Sequence, residues 1–283
     1  MLGKLMKHEF RATAKIFVPL FAAAAALMGV TQIIFLVLRL VTERQGLQGF
    51  PDAHPFMMAL MVLLAIVSVL AMLALMAVIA IVTVQRFYKN LLGDEGYLMF
   101  TLPATPAQQI LSKLFVGLSW TLAGVAVCLL AGFLFVWSCF PATADIGSLA
   151  ASFRIETGME PVLALLLMAL FMLFAFANTY LQFYLCIAIG GQWPQNRLLA
   201  SAAAYLILNT VLQFVMFFAM VAGVLVFHFA DAGFFGGLQA LVEQSPSTFF
   251  YGMLGLGAAL MTALNAAYFF VTRWLLGRRL NLA

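Results

Sequence analysis

The residues from Arg86 to Lys113 read RFYKNLLGDEGYLMFTLPATPAQQILSK and separate two long apolar blocks of the chain. This stretch holds charges of both signs, two glycines, two prolines and a helix-start signal. A loop that only joined two membrane spans could be shorter and plainer. The stretch therefore predicts a docking surface, where a membrane protein meets a soluble partner.

The composition of the chain indicates a membrane protein. Hydrophobic residues make up 65% of it and charged residues 8%, whereas a soluble domain has about half apolar and about a quarter charged residues. Several blocks exceed the roughly 20 apolar residues that cross a bilayer as a helix. We expect an all-α membrane protein, and the net charge of +4 does not indicate a nucleic-acid partner.

Six apolar blocks are long enough to be transmembrane helices, and they predict a single transmembrane domain over residues 1–283. The predicted spans cover about residues 16–40, 56–85, 110–139, 161–189, 198–229 and 249–274. Residues 140–160 are expected to form a loop. Residues 230–248 are too apolar for a free loop and too short for a span, so they predict a short, partly re-entrant segment before span 6.

Residues 1–15 predict an N-terminal amphipathic helix that lies in the membrane interface. Four basic residues recur every three or four positions and share one helix face: Lys4, Lys7, Arg11 and Lys15. Glu9 falls among the apolar residues of the other side, either as a tolerated carboxylate or because it makes a specific contact. Pro19 is expected to kink the chain where the first span begins.

The basic residues are distributed unevenly between the two sides that six spans define. Eleven of the 14 Lys and Arg residues fall on the side of the termini, namely Lys4, Lys7, Arg11, Lys15, Arg86, Lys89, Lys113, Arg197, Arg273, Arg278 and Arg279. The other side has Arg39, Arg44 and Arg154. The positive-inside rule then predicts that both termini lie in the cytoplasm. We expect a multi-pass protein of the plasma membrane.

The middle of the opening stretch predicts a short helix across the cytoplasmic face. Asp94 and Glu95 carry negative charge, which the helix dipole favours at a helix N-terminus. The predicted helix runs from about Asp94 to Thr101 and is stopped by Pro103. Such a rigid element suits the transmission of force from a moving partner.

The end of the same stretch carries the signal that starts the next helix. Thr105 to Gln108 read TPAQ, a capping box with Pro106 at the first helical position. This box predicts the start of the helix that leads into the third span. An alternative for the segment before it is an interfacial loop packed on lipid, with Tyr97 and Phe100 as aromatic anchors.

The segment EGYLMFTLPATPAQQILSK, residues 95–113, resembles the first cytoplasmic loop of ATP-binding-cassette type-2 exporter permeases. That loop typically carries Glu and Gly, an apolar stretch, Pro after Leu or Thr, and a helix ending in Lys before the third span. The matching positions are Glu95, Gly96, Leu98, Leu102, Pro103 and Lys113. The surface helix, the six spans and the partly re-entrant segment are also similar to the family. The chain departs from it at Asp94–Glu95, where the family often has a basic member.

The resemblance implies a cytoplasmic coupling helix between spans 2 and 3 that sits in a groove of a separate ATPase subunit. It also implies a dimer of permease chains, the same or related, with two copies of the ATPase. ATP and magnesium would bind to that partner, and no cofactor to this chain. The residues implied in ATPase docking are Asp94, Glu95, Gly96, Tyr97, Leu98, Phe100, Pro103 and Glu9.

The sequence contains none of the motifs GxxxxGK[ST], HExxH or GxSxG. We therefore expect no catalytic residue and no ATP hydrolysis on this chain. His8, His54 and His228 lie far apart, so no metal site is expected. Charged residues are almost absent inside the spans, which disfavours a proton-driven transporter.

Uncharged polar residues inside the spans are the remaining candidates for a functional site. They are Gln32, Asn178, Gln182, Asn209, Gln213 and Asn265. The pairs Asn178/Gln182 and Asn209/Gln213 are spaced i, i+4, so each pair shares a helix face. These faces either form hydrogen bonds between helices or line a translocation path.

Together these features predict the permease subunit of an ATP-driven exporter that moves an apolar, amphipathic or peptide-like substrate. One alternative is a secondary transporter, and another is a non-transporting membrane anchor for a regulatory ATPase. A lipid-modifying enzyme is disfavoured, because no acid, base or metal groups converge at one depth.

Overall fold

A computed structural model describes residues 2–44, 55–92, 105–139, 146–193, 195–229 and 246–278. These residues form helices joined by short turns, without a strand among them. The helices are α1 (Leu2–Arg44), α2 (Pro55–Leu92), α3 (Pro106–Cys139), α4 (Ile146–Thr157), α5 (Pro161–Gly190), α6 (Arg197–Phe229) and α7 (Pro246–Arg278).

Six of these helices, all except α4, are long and apolar enough to cross a membrane. The prediction of six spans is therefore confirmed by length and composition. The helices extend beyond the apolar blocks; α2 continues to Leu92 and α7 begins at Pro246. Polar turns can extend a helix past the hydrocarbon core, because the backbone hydrogen bonds continue in water.

Helix α1 is continuous from Leu2 to Arg44 and contains Pro19 within it. Residues 2–15 are thus its first turns rather than a separate helix, and the chain does not break at the proline. These first turns contact α3, as described below. Their predicted location in the membrane interface stays a prediction.

The expectation of a loop over residues 140–160 is wrong where the structure describes it, because α4 occupies residues Ile146–Thr157. Gly158 ends α4 with a left-handed φ of 66°, and its N–H donates to the Arg154 carbonyl at 2.9 Å. This is a common way to terminate a helix, since glycine adopts that conformation without steric cost. Pro161 then begins α5 at once.

The chain divides into two compact units. The first contains residues 1–85 and 111–145, and the second contains residues 86–110 and 146–283. The prediction of one transmembrane domain over residues 1–283 stays a prediction. The predicted coupling helix and most of the predicted re-entrant segment, residues 93–104 and 230–245, lie outside the described residues.

In the first unit, α1, α2 and α3 pack around Phe17, Leu75, Ile79, Val116 and Trp120. Two glycines of α3 allow α2 to approach closely. A Cβ at Gly117 would lie 2.5 Å from the Thr83 side chain, and one at Gly124 would lie 2.6 Å from Ile79.

In the second unit, α5 packs against both α6 and α7. The hairpin of α5 and α6 closes at Gly190, where a Cβ would lie 2.5 Å from the Ser201 backbone nitrogen. Phe171 of α5 faces Gly257 of α7. Asn265, about two turns further along α7, donates to the Phe174 carbonyl at 3.2 Å, so α5 and α7 run parallel.

Candidate functional site

Four polar side chains join the first turns of α1 to the first turns of α3. We call Glu9, Thr13, Lys113 and Trp120 the α1–α3 polar cluster. The Lys113 ammonium donates to Glu9 Oε1 at 2.6 Å, and the two side chains are only 4% and 10% exposed. An ion pair removed from water to this extent fixes the register of two helices, because each charge is costly without the other.

Thr13 links an aromatic side chain of α3 to the backbone of α1. The Trp120 indole N–H donates to Thr13 Oγ1 at 2.9 Å, and the Thr13 hydroxyl donates to the Glu9 carbonyl at 2.9 Å. Phe10 stacks on the Trp120 ring with centroids 4.7 Å apart, and Phe17 contacts it at 5.1 Å. The Trp120 ring is therefore packed among aromatic side chains of α1, of which Phe17 is fully buried and Phe10 is 44% exposed.

The cluster explains why Glu9 lies on the apolar side of its helix. The specific contact is Lys113 of the same chain, so Glu9 has a reason to face inward that needs no partner protein. Its role in ATPase docking stays a prediction, and the buried carboxylate is not part of an exposed surface. The geometry suits the attachment of α1 to α3, since the carboxylate and the ammonium neutralise each other.

The start of α3 matches the predicted capping box. The Gln108 N–H donates to Thr105 Oγ1 at 3.4 Å, and the Thr105 N–H donates to Gln108 Oε1 at 3.3 Å. Pro106 is the first residue of α3. The prediction is confirmed, and it fixes where the segment before residue 105 joins the helix that carries Lys113.

Seven of the eight predicted docking residues lie outside the described residues: Asp94, Glu95, Gly96, Tyr97, Leu98, Phe100 and Pro103. The last turns of α2, which precede this segment and belong to the second unit, make an aromatic stack with α5. Phe87 lies on Tyr184 of α5 with ring centroids 3.8 Å apart and an interplanar angle of 7°. Both side chains are fully buried.

The structure divides the predicted path residues among different places. Gln32 is in the first unit, where its amide donates to the Ala131 carbonyl at 3.5 Å. On α6, Asn209 is half-buried and Gln213 is exposed. Asn178 and Gln182 share the face of α5 that turns toward α7, where Asn265 makes its hydrogen bond. Only these last three are brought to one interface.

Sequence reasoning did not identify Trp120, Tyr184 or Tyr268 as members of these contacts. Aromatic residues are abundant in apolar spans, so nothing in the sequence separates these three from the others. The sequence did single out Lys113, as a lone charge where the third span begins. It also singled out Glu9, as a lone acid on an apolar helix face. Among the described residues, no group of three His, Cys, Asp or Glu side chains is placed to hold a metal ion.

The fold and the composition define a class: an all-helical, multi-pass membrane protein with six candidate spans. Comparison with known proteins finds no matching family model, curated protein or solved structure.

Proposed function

We propose that this chain is the membrane subunit of an ATP-driven exporter of the ATP-binding-cassette type. The observation that carries the proposal is the sequence of residues 95–113, which resembles the ATPase-docking loop of type-2 exporter permeases. Two features of the described structure support it. The capping box starts α3 directly after that loop, and Lys113, the last residue of the resemblance, is anchored by a buried ion pair.

In this proposal, residues 94–101 form the coupling helix and both termini lie on the cytoplasmic side of the plasma membrane. The N-terminal turns of α1 lie along the interface, and residues 230–248 return part-way into the bilayer. Two permease chains, the same or related, assemble with two ATPase copies that bind ATP and magnesium. The cargo is apolar, amphipathic or peptide-like, because the described spans offer almost no charged groups.

The α1–α3 polar cluster gives the coupling helix a route to the membrane helices. A displacement of residues 93–104 by the ATPase is passed to α3 at Thr105. Lys113 lies eight residues further, or about 12 Å at 1.5 Å per residue. The buried ion pair then carries the movement to Glu9 and α1, because separating the two charges is costly.

The test is purification of the tagged protein from its native membranes in mild detergent, with ATPase activity assayed in the eluate. Wild type is compared with Glu95→Lys and with Glu160→Lys, a matched charge reversal at an exposed site on the predicted outer side. We expect a stoichiometric ATPase with wild type and Glu160→Lys, and its loss with Glu95→Lys. If ATPase is absent from all three eluates although each protein is monodisperse, the exporter proposal is refuted. If all three retain it equally, Glu95 is not in the contact.

A further inference from the structure

The interface between α5 and α7 contains buried polar atoms without partners. Within the described part of the chain, Gln182 Nε2, Asn178 Nδ2, Asn265 Oδ1 and the Tyr268 hydroxyl have no hydrogen-bond partner. Gln182 is 9% exposed and Tyr268 is 6% exposed. We call these four residues the α5–α7 seam. An orphaned polar group in an apolar interior is costly, so four of them in one interface require an explanation.

The four side chains share one interface because of helix periodicity. On α5, Phe171 and Phe174 contact α7, and steps of three or four residues from them lead to Asn178 and Gln182 on the same face. On α7, Asn265 contacts α5 directly. Tyr268, three residues further, lies on the same side of α7 and is buried.

An apolar cavity lies along the same interface, nearer than the seam to the N-terminal ends of α5 and α7. It has a volume of about 300 Å³ and is lined by Leu167 and Phe171 of α5 and by Leu254, Gly255 and Ala258 of α7, among others. This is about twice the volume of an engineered cavity of roughly 150 Å³ that binds benzene. Asn178 follows Phe171 by seven residues and Gln182 follows it by eleven, while Tyr268 follows Ala258 by ten. At about 1.5 Å per residue, the polar groups lie about 10–17 Å from the cavity along the helices.

We propose that the seam and the cavity together bind an uncharged, single-chain amphipathic molecule. Its chain lies in the cavity, and its head accepts hydrogen bonds from Gln182, Asn178 and Tyr268. The carbonyl and hydroxyl groups of a monoacylglycerol have this chemistry. The head is uncharged, because α5 has no charged residue and α7 has none before Arg273, and a buried charge without a counter-charge is strongly disfavoured.

This site does not depend on the exporter function, because every residue in it belongs to this chain and no ATPase is required. If the protein is an exporter, the site gives the class of its cargo or of a bound lipid. The binding experiment therefore tests this proposal independently of the purification, which tests the exporter proposal.

The experiment is photo-crosslinking of the full-length protein in phosphatidylcholine nanodiscs. The probe is a monoacylglycerol with a diazirine in its acyl chain, and labelled peptides are identified by mass spectrometry. Two comparison probes keep the chain and change the head: one is a plain alkane and the other carries trimethylammonium. We expect saturable labelling by the glycerol probe within residues 163–171 and 251–258.

Two variants test the two halves of the site. Gln182→Leu removes a donor and should lower affinity about fivefold, which corresponds to one ordinary hydrogen bond. Ala258→Leu fills the cavity and should abolish labelling there. The matched controls are Gln213→Leu, which makes the same change on exposed α6 surface, and Gly252→Leu, where a Cβ would meet nothing within 4 Å. Both should label like wild type.

Three results would overturn the proposal. The first is labelling by the alkane probe that equals labelling by the glycerol probe, since this would show an apolar surface without a head-group site. The second is equal labelling by the trimethylammonium probe, which would contradict an uncharged head. The third is unchanged affinity in Gln182→Leu when its thermal unfolding shows a folded protein. Folding should persist, because an apolar residue of similar size replaces an unsatisfied polar one.

Discussion

Replacing Glu9 with glutamine removes the carboxylate charge that faces Lys113 inside the protein. The two charges lie 2.6 Å apart, so their attraction is about 6 kcal/mol at an effective dielectric constant of about 20. Most of this is offset by the cost of taking both ions out of water. When only one partner is removed, the other charge stays buried without its counter-charge, and the loss of stability is about 3–5 kcal/mol.

The assay is thermal unfolding of the purified protein in mild detergent, followed by tryptophan fluorescence at a fixed scan rate. A loss of about 3–5 kcal/mol lowers the Tm by roughly 10 °C for a protein of this size. The control is Glu160→Gln, which breaks the Arg154–Glu160 pair at 2.5 Å, where the side chains are 61% and 58% exposed. An exposed pair contributes about 1 kcal/mol or less, so this variant should unfold close to wild type.

A double replacement separates burial of the charges from attraction between them. Glu9→Met combined with Lys113→Met removes both ions and should recover most of the lost stability, since apolar residues often replace a buried pair without penalty. If Glu9→Gln unfolds at the same temperature as Glu160→Gln, the burial argument is refuted. If the double variant is less stable than Glu9→Gln, the pair itself is a net source of stability.

Two further substitutions test close packing and capping. Gly190→Ala should destabilise the α5–α6 hairpin by about 1–3 kcal/mol, because the new Cβ would lie 2.0 Å from Ser201 Oγ. Gly223→Ala should be neutral or stabilising, since nothing lies within 4 Å of its Cβ and alanine favours a helix; a lower Tm for this control would contradict the packing explanation. Thr105→Ala should cost about 1 kcal/mol and speed amide hydrogen exchange in the first turn of α3 near Gln108, and unchanged exchange there would contradict the cap.

Local signals in the sequence account for the parts of the fold that were predicted. Six apolar blocks define six spans because about 20 consecutive apolar residues are needed to cross a bilayer as a helix. The capping box is also a local signal. Thr105 and Gln108 are three residues apart, so their reciprocal hydrogen bonds do not depend on how the helix packs. Helix α4 was not predicted, because its short segment of mixed polarity has no long apolar block. Gly158, which ends this helix, is recognised by its left-handed backbone conformation in the structure.

The candidate sites depend on contacts between distant parts of the chain, which the sequence does not specify. Glu9 and Lys113 were each singled out as charges in apolar surroundings, but their pairing requires α1 and α3 to lie side by side. The shared face of Asn178 and Gln182 follows from their spacing. That Asn265 and Tyr268 face the same interface follows only from how α7 packs against α5.

The buried ion pair also constrains when α1 can reach its final packing during synthesis. Glu9 and Lys113 are 104 residues apart in the chain. At a synthesis rate of about 5–20 residues per second, Glu9 leaves the ribosome roughly 5–20 s before its partner. During this interval α1 can enter the bilayer only with the Glu9 carboxylate still in contact with water or with the insertion machinery. The final packing of α1 against α3 is therefore delayed until the third span has emerged from the ribosome.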